Sequence, residues 1–194
     1  MREKIGVFGS AVSDSAEVAA KARELGETLA GSDIILITGA CSGLPYEVAL
    51  AAYRKNKAEI WGFSPASDYD GQVASTPRDD NTIYSRLVYT PTDFEFIGDI
   101  SVARKYRNVL STATCDGGIV IAGRWGSLNE FTNLYDMGKV IGVLTGTGGI
   151  ADILPDLSRQ ISKPSAASVF FNSSPVELVS QVISEIRQRR QNNH

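Results

Sequence analysis

Histidine is all but missing from this 194-residue chain; the one copy is His194. That scarcity argues against Ser-His-Asp and Cys-His catalysis and against histidine-ligated zinc, each of which needs an imidazole inside the fold. Cysteine is nearly as scarce. Cys41 and Cys115 are too few for a disulfide framework, show no CxxC or Cys/His spacing, and read as small buried hydrophobes. No apolar run approaches the ~18 residues of a membrane span. Met1-Arg2-Glu3-Lys4-Ile5 also opens without a signal-peptide pattern. A cytoplasmic protein with no membrane partner is therefore expected. Cationic excess is absent too: the net charge is −3, which speaks against a nucleic-acid surface spread over the domain, so no nucleic-acid partner is expected. Chemistry is left to carboxylates, arginines, hydroxyls and backbone amides.

What is present is an ordinary globular composition, 43% hydrophobic and 21% charged, in a length that suits one buried domain. Lys4–Ser10 reads as a buried strand. A helix from about Asp14 follows, with Asp14 and Glu17 spaced as a capping box and Gly31 past its end. Residues 33–37 are an almost wholly apolar second strand, the mark of a parallel strand covered on both faces. After the turn Thr38–Pro45 come a helix to about Tyr53 and a third strand at 58–63. Strand signals recur at 86–90, 117–121, 139–144 and 168–171, with helical patterns at about 100–113, up to Gly138, at 151–161 and from Ser174 onward. The alternation predicts an α/β fold: a single doubly wound Rossmann-like domain, a mostly parallel sheet of about seven strands, helices on both faces. Two segments stand apart. Residues 64–86 are polar and turn-rich, either a lid over a site or an inert surface excursion. Residues 187–194, opening on Arg187-Gln188-Arg189-Arg190, read as a solvated helix end and polar tail.

The candidate site centres on Ala122-Gly123-Arg124-Trp125-Gly126-Ser127-Leu128-Asn129-Glu130, between the apolar run 118–121 and a helical pattern carrying Leu128, Phe131 and Leu134. A strand, a glycine-broken turn and a helix start form an anion cradle, because the first N–H groups of a helix have no partner within it. Gly9-Ser10, Thr38-Gly39 with Gly43, and Thr145-Gly146-Thr147 fall at the same carboxyl edge of the predicted sheet, where open α/β sheets bind ligands. Each is also explained singly by a tight turn. Their convergence points to a phosphate-bearing ligand. Glu130 has two readings on the residues alone: a carboxylate facing a ligand, or the far partner of a Ser127-x-x-Glu130 capping box. Trp125 reads first as a packing residue and second as a stacking platform.

These residues resemble the LOG-type Rossmann proteins, the phosphoribohydrolases that activate cytokinins, long mislabelled lysine decarboxylases; the molybdenum-cofactor carrier proteins are similar. The family pattern is an arginine, usually Arg-Lys, then a spacer and Pro-Gly-Gly-x-Gly-Thr-x-x-Glu. Arg107 stands at the arginine and Asn108 where lysine is usual, Asp116 lies in the spacer, and Gly123, Gly126, Ser127 and Glu130 match the motif. Ala122 replaces the proline, Arg124 the second glycine and Ser127 the threonine. The resemblance implies a nucleoside 5′-monophosphate phosphoribohydrolase with Glu130 and Arg107 as catalytic residues. Gly9, Ser10, Thr38, Gly39, Gly43, Gly123, Arg124, Gly126, Ser127 and Thr145 would bind the nucleotide. No metal or other cofactor is implied, and the chain is expected to form a dimer or tetramer through the helix carrying Arg107. The alternative is a non-catalytic carrier of a phosphate-bearing cofactor, which Arg124 and Asn108 favour.

Overall fold

Short runs rich in isoleucine and valine, bounded by glycine and small polar residues, become the strands. The computed structural model describes residues 2–12, 15–56, 58–161 and 163–192. Its strands are β1 (Glu3–Gly9), β2 (Ile34–Thr38), β3 (Glu59–Phe63), β4 (Arg86–Val88), β5 (Gly117–Ile121), β6 (Val140–Leu144) and β7 (Ser168–Asn172). They form one wholly parallel sheet in the order β4-β3-β2-β1-β5-β6-β7. The helices are α1 (Ala16–Ala30), α2 (Leu44–Asn56), α3 (Tyr69–Ser75), α4 (Ile100–Thr114), α5 (Trp125–Asp136), α6 (Gly149–Gln160) and α7 (Pro175–Asn192). The expected doubly wound α/β domain is the one observed.

Alternate residues of each central strand serve opposite faces. Ile5 and Val7 of β1 and Ile119 and Ile121 of β5 join Leu25, Val48 and Val182 in a core beneath α1, α2 and α7. Phe8, Ile37, Val120 and Val143 join Phe131, Leu134 and Leu154 in a second core beneath α5 and α6. The sheet is thus buried on both faces.

Two segments hold contacts that composition does not reveal. Residues 64–86 contain α3, a single 3-10 turn at Asn81–Ile83 and β4. Their polar side chains form a buried network: Gln72, fully buried, donates to the Ala40 carbonyl at 2.8 Å and to Asn81 at 3.0 Å, and accepts from Ser64 at 2.6 Å. The network ties this stretch to the turn after β2. Residues 187–190 lie within α7, where Arg187 pairs with Glu3 at 3.2 Å and Arg190 with Asp116 at 2.8 Å, fastening the helix to the amino edge of the sheet. Asp14, Asn193 and His194 lie outside the described residues. α1 is capped by Ser15, whose hydroxyl accepts from the Val18 N–H. No helix among the described residues is long and apolar enough to cross a membrane.

Candidate functional site

The chain winds outward from β1 in one direction through β2, β3 and β4, and in the other through β5, β6 and β7. The carboxyl ends of β1 and β5 therefore flank the switch point at which such sheets open a crevice. A cavity of about 540 Å³ lies there, within the range of small-ligand sites. Gly9 and Ser10 line it from the end of β1, Gly39 and Cys41 from the turn after β2, and Pro45 from the start of α2. Ser101, Arg104, Lys105, Arg107 and Asn108 come from α4, and Arg124, Gly126, Ser127 and Glu130 from the start of α5.

Helix α5 begins at Trp125 with Arg124 as its N-cap residue and no side chain capping it. Ser127 is thus the third helical residue and Glu130 the sixth, so the Ser127-x-x-Glu130 capping box is not formed. Glu130 lies in the second turn, not the first, because the helix starts three residues earlier than the Ser127 signal suggests. Its side chain is 7% exposed and has no hydrogen-bond partner among the described residues. Burial raises its carboxyl to about 7, and the charges of Arg107 and then Lys105 pull it part of the way back. A carboxyl in that range can give or take a proton at neutral pH.

Arg107, 8% exposed, enters beside Gly39, where a Cβ would overlap the guanidinium. It donates to the Gly39 carbonyl and, at 3.5 Å, to the Phe63 carbonyl, while its Nε is buried without a partner. Glycine at 39 is thus a requirement of the arginine's approach. Cys41 lines the same wall; burial raises its thiol, and the Arg107 charge lowers it again. Cys115, by contrast, is buried against the Ser111 carbonyl.

The turn after β5 takes a path that the resembled motif cannot. Ala122 sits at φ +49, a value closed to proline, whose ring holds φ near −65°. Gly123 follows at φ +91, packed so closely on Ser127 that a Cβ would overlap its side chain. Arg124 has φ −131 and so needs no glycine. Its exposed guanidinium has no partner among the described residues and stands between the main cavity and a smaller one of about 270 Å³ that Gly123 also lines. Trp125 is 82% exposed and lines neither cavity.

Three expected ligand residues lie off the cleft. Thr38 is buried, its hydroxyl accepting from the Ala40 N–H. Gly43, at φ +90, packs on the backbone of Ser10 and Ala11. Thr145 lines neither cavity, its N–H bonded to the Asn172 carbonyl. Conversely, Ser101, Arg104 and Lys105 line the cleft although no motif marks them. With Asn108 they recur at i, i+3, i+4 and i+7, a polar stripe on α4 that the sequence does display. No group of three or more His, Cys, Asp or Glu side chains able to hold a metal ion occurs among the described residues.

A Rossmann-like α/β domain with a basic cleft at its switch point is the class these features define. Residues 2–179 match the SLOG cluster4 family model, and the chain belongs to the SLOG cluster4 family. No match is found among curated proteins. The fold is similar to that of TM1055, with a TM-score of 0.74 and 21% identity over 94% of this chain and 99% of that one. It is similar also to the molybdenum cofactor binding protein of the phototrophic bacterium Rippkaea orientalis, at 0.66 and 17% over 96% and 98%. A third similar structure is DNA processing protein A of Helicobacter pylori, described with its single-stranded DNA binding mode, at 0.67 and 16% over 94% and 81%. Identities this low show the fold alone. The last of the three corrects one expectation: nucleic acid is not excluded as a partner, since a protein of this fold binds single-stranded DNA. Net charge misleads here because −3 sums the whole surface, while Arg104, Lys105, Arg107 and Arg124 gather on one cleft.

Proposed function

We propose that the cleft binds a nucleoside 5′-monophosphate and hydrolyses its N-glycosidic bond, releasing free base and ribose 5-phosphate. The observation that carries this reading is Glu130: a buried carboxyl, without a capping role, held near 7 beside Arg107. A merely binding cleft filled with cations has no need of a carboxyl that titrates at neutral pH. The open N-terminus of α5 and the partnerless Arg124 would hold the phosphate. As the bond from the sugar carbon to the base nitrogen breaks, its electron pair leaves with the base and positive charge grows on the sugar. Ionised Glu130 stabilises that charge and takes a proton from the attacking water, whose oxygen bonds to the sugar carbon. Arg107 draws the negative charge of the departing base, which then takes up a proton.

The test is incubation of the purified protein with AMP, GMP, CMP and UMP, followed by chromatography for free base. Turnover is expected to rise with pH through a midpoint near 7, since the working form of Glu130 is ionised. Glu130→Gln and Arg107→Ala should each lower it by roughly 100-fold or more. No free base from any nucleotide at any pH between 6 and 9 sinks the enzyme reading.

A second reading has its own support: the similar fold of the R. orientalis molybdenum cofactor binding protein, together with the exposed, partnerless Arg124. Under it Arg124, Arg107 and the N–H groups of α5 hold the phosphate of a cofactor that leaves unchanged. Stoichiometric retention of an intact phosphate-bearing ligand through purification, with no turnover, selects it.

A further inference from the structure

We propose that Asn108 determines which ligand the cleft accepts, its amide oxygen taking a hydrogen bond from a neutral donor, a sugar hydroxyl or a base amino group, of the bound nucleotide. This rests on the nucleotide reading of the cleft given above.

Asn108 is 4% exposed and lines the cleft on the polar stripe of α4. Its Nδ2 donates at 3.1 Å to Oδ1 of Asn129, a residue of α5 that does not line the cavity. Asn129 in turn donates to Oδ1 of Asn133 at 3.5 Å, and Nδ2 of Asn133 at the far end of the run is buried without a partner. The nitrogen half of Asn108 is thereby committed to the helix interface. Its oxygen half is buried and has no partner among the described residues. An acceptor left bare in this way costs free energy until a donor arrives.

The rest of the lining explains why this oxygen selects. Arg104, Lys105, Arg107 and Arg124 present only N–H donors, which recognise an anion redundantly and say little about the group attached to it. Among the side chains of the cleft, the carboxyl and amide acceptors are Glu130 and Asn108. Glu130 is engaged by the reaction, and the hydroxyls of Ser10, Ser101 and Ser127 can donate as well as accept, so the amide oxygen of Asn108 is the acceptor that demands a donor on the neutral part of the ligand. A site built to meet a donor rejects the analogue lacking it more strongly than an apolar pocket rejects a missing methylene.

Isothermal titration of AMP, GMP, CMP and UMP, with inorganic phosphate as the comparison, tests the assignment on wild type and Asn108→Leu. The variant should bind its best nucleotide roughly 10- to 100-fold more weakly and phosphate with unchanged affinity. The second arm leaves the protein unmodified, so it does not depend on the variant folding. Of the 2′-deoxy, 3′-deoxy and deaminated analogues of the best nucleotide, one should lose the same factor on wild type and no further affinity on Asn108→Leu. Equal nucleotide affinity of wild type and variant, or no loss with any of the three analogues, overturns the assignment while the site itself stands. A loss confined to an acceptor-deleted analogue such as the 7-deaza form also overturns it, because the amide is then presenting its nitrogen. Failure of wild type to bind either nucleotide or phosphate removes the cleft reading along with it.

Discussion

Two glycine-containing turns leave the same edge of the same sheet, one after β5 and one after β6, and each opens a helix. In sequence the second is the richer in glycine, Thr145-Gly146-Thr147-Gly148-Gly149 against Ala122-Gly123-Arg124-Trp125-Gly126. In the fold it is the closed one. Asp152 bends back so that its carboxylate accepts from the Gly146 N–H at 2.6 Å and the Gly148 N–H at 2.9 Å. The Ile150 and Ala151 N–H groups are taken by the Gly123 and Ala122 carbonyls. The start of α6 thus carries its own anion. At the start of α5 no side chain caps the helix, and the N–H groups of Trp125, Gly126 and Ser127 have no partner among the described residues. Glycine permits an anion cradle; whether one exists depends on whether the chain has already filled it.

The largest effect expected to sharpen that contrast comes from Glu130, the one carboxyl in the open cleft. Its folded value near 7 lies above the ordinary 4.5, so the folded state holds the proton more tightly than the unfolded chain does. The stability from this group is fully present below about 4.5 and is lost as pH rises through about 7. At ~1.4 kcal/mol for each pH unit between those two values, ionising it costs the fold roughly 3 kcal/mol by pH 8. Glu130→Gln keeps the shape and removes the titration. Urea denaturation should find the variant more stable than wild type at pH 8 by up to about 3 kcal/mol, with the gap closing toward pH 5. A gap that does not change with pH would show that the carboxyl is not held neutral by burial.

How much of this was legible follows from which signals are local. Strand order, helix order and the parallel sheet rest on apolar runs and turn residues that act over a few positions, and those were readable. Arg107 and Glu130 were also readable, because the motif resemblance fixes them by spacing. The start of α5 was not: the Ser127-x-x-Glu130 pattern mimics a cap, and only the path of the chain through Ala122 places Trp125 first. Nor was the filling of the Thr145 turn, since Asp152 looks like any exposed first-turn carboxylate. The buried network of residues 64–86 was hidden for the opposite reason. Composition cannot distinguish a hydroxyl bonded to buried Gln72 from one bonded to water.

Asp152 gives the reciprocal test, of intermediate size. Asp152→Ala removes two bonds to backbone N–H groups in an exposed turn and should cost about 1–2 kcal/mol in urea denaturation. It also empties the second cradle. Phosphate should then raise the melting temperature of Asp152→Ala more than that of wild type, with nucleotide affinity at the main cleft unchanged. If phosphate stabilises both proteins equally, glycine turns at this edge are not interchangeable cradles and the contrast with α5 has another cause.

The smallest effect concerns the backbone of the open turn. Ala122 at φ +49 and Ala40 at φ +46 are the non-glycine residues in the left-handed region among those described, and they sit in the turns after β5 and β2, both of which contribute residues to the cleft. A left-handed alanine costs roughly 1–2 kcal/mol; glycine relieves that strain but loses up to ~1 kcal/mol of the gain to its freer unfolded chain. Ala122→Gly should therefore stabilise the protein by no more than about 1 kcal/mol, and Ala40→Gly likewise. The functional consequence should separate them. Ala122 directs the chain into the uncapped start of α5, so the freer turn should weaken phosphate binding several-fold. The turn at Ala40, whose carbonyl is already held by Gln72, should leave phosphate binding unchanged. Equal affinities for Ala122→Gly and wild type would mean that the strained alanine is a by-product of the path and not what holds the cradle open.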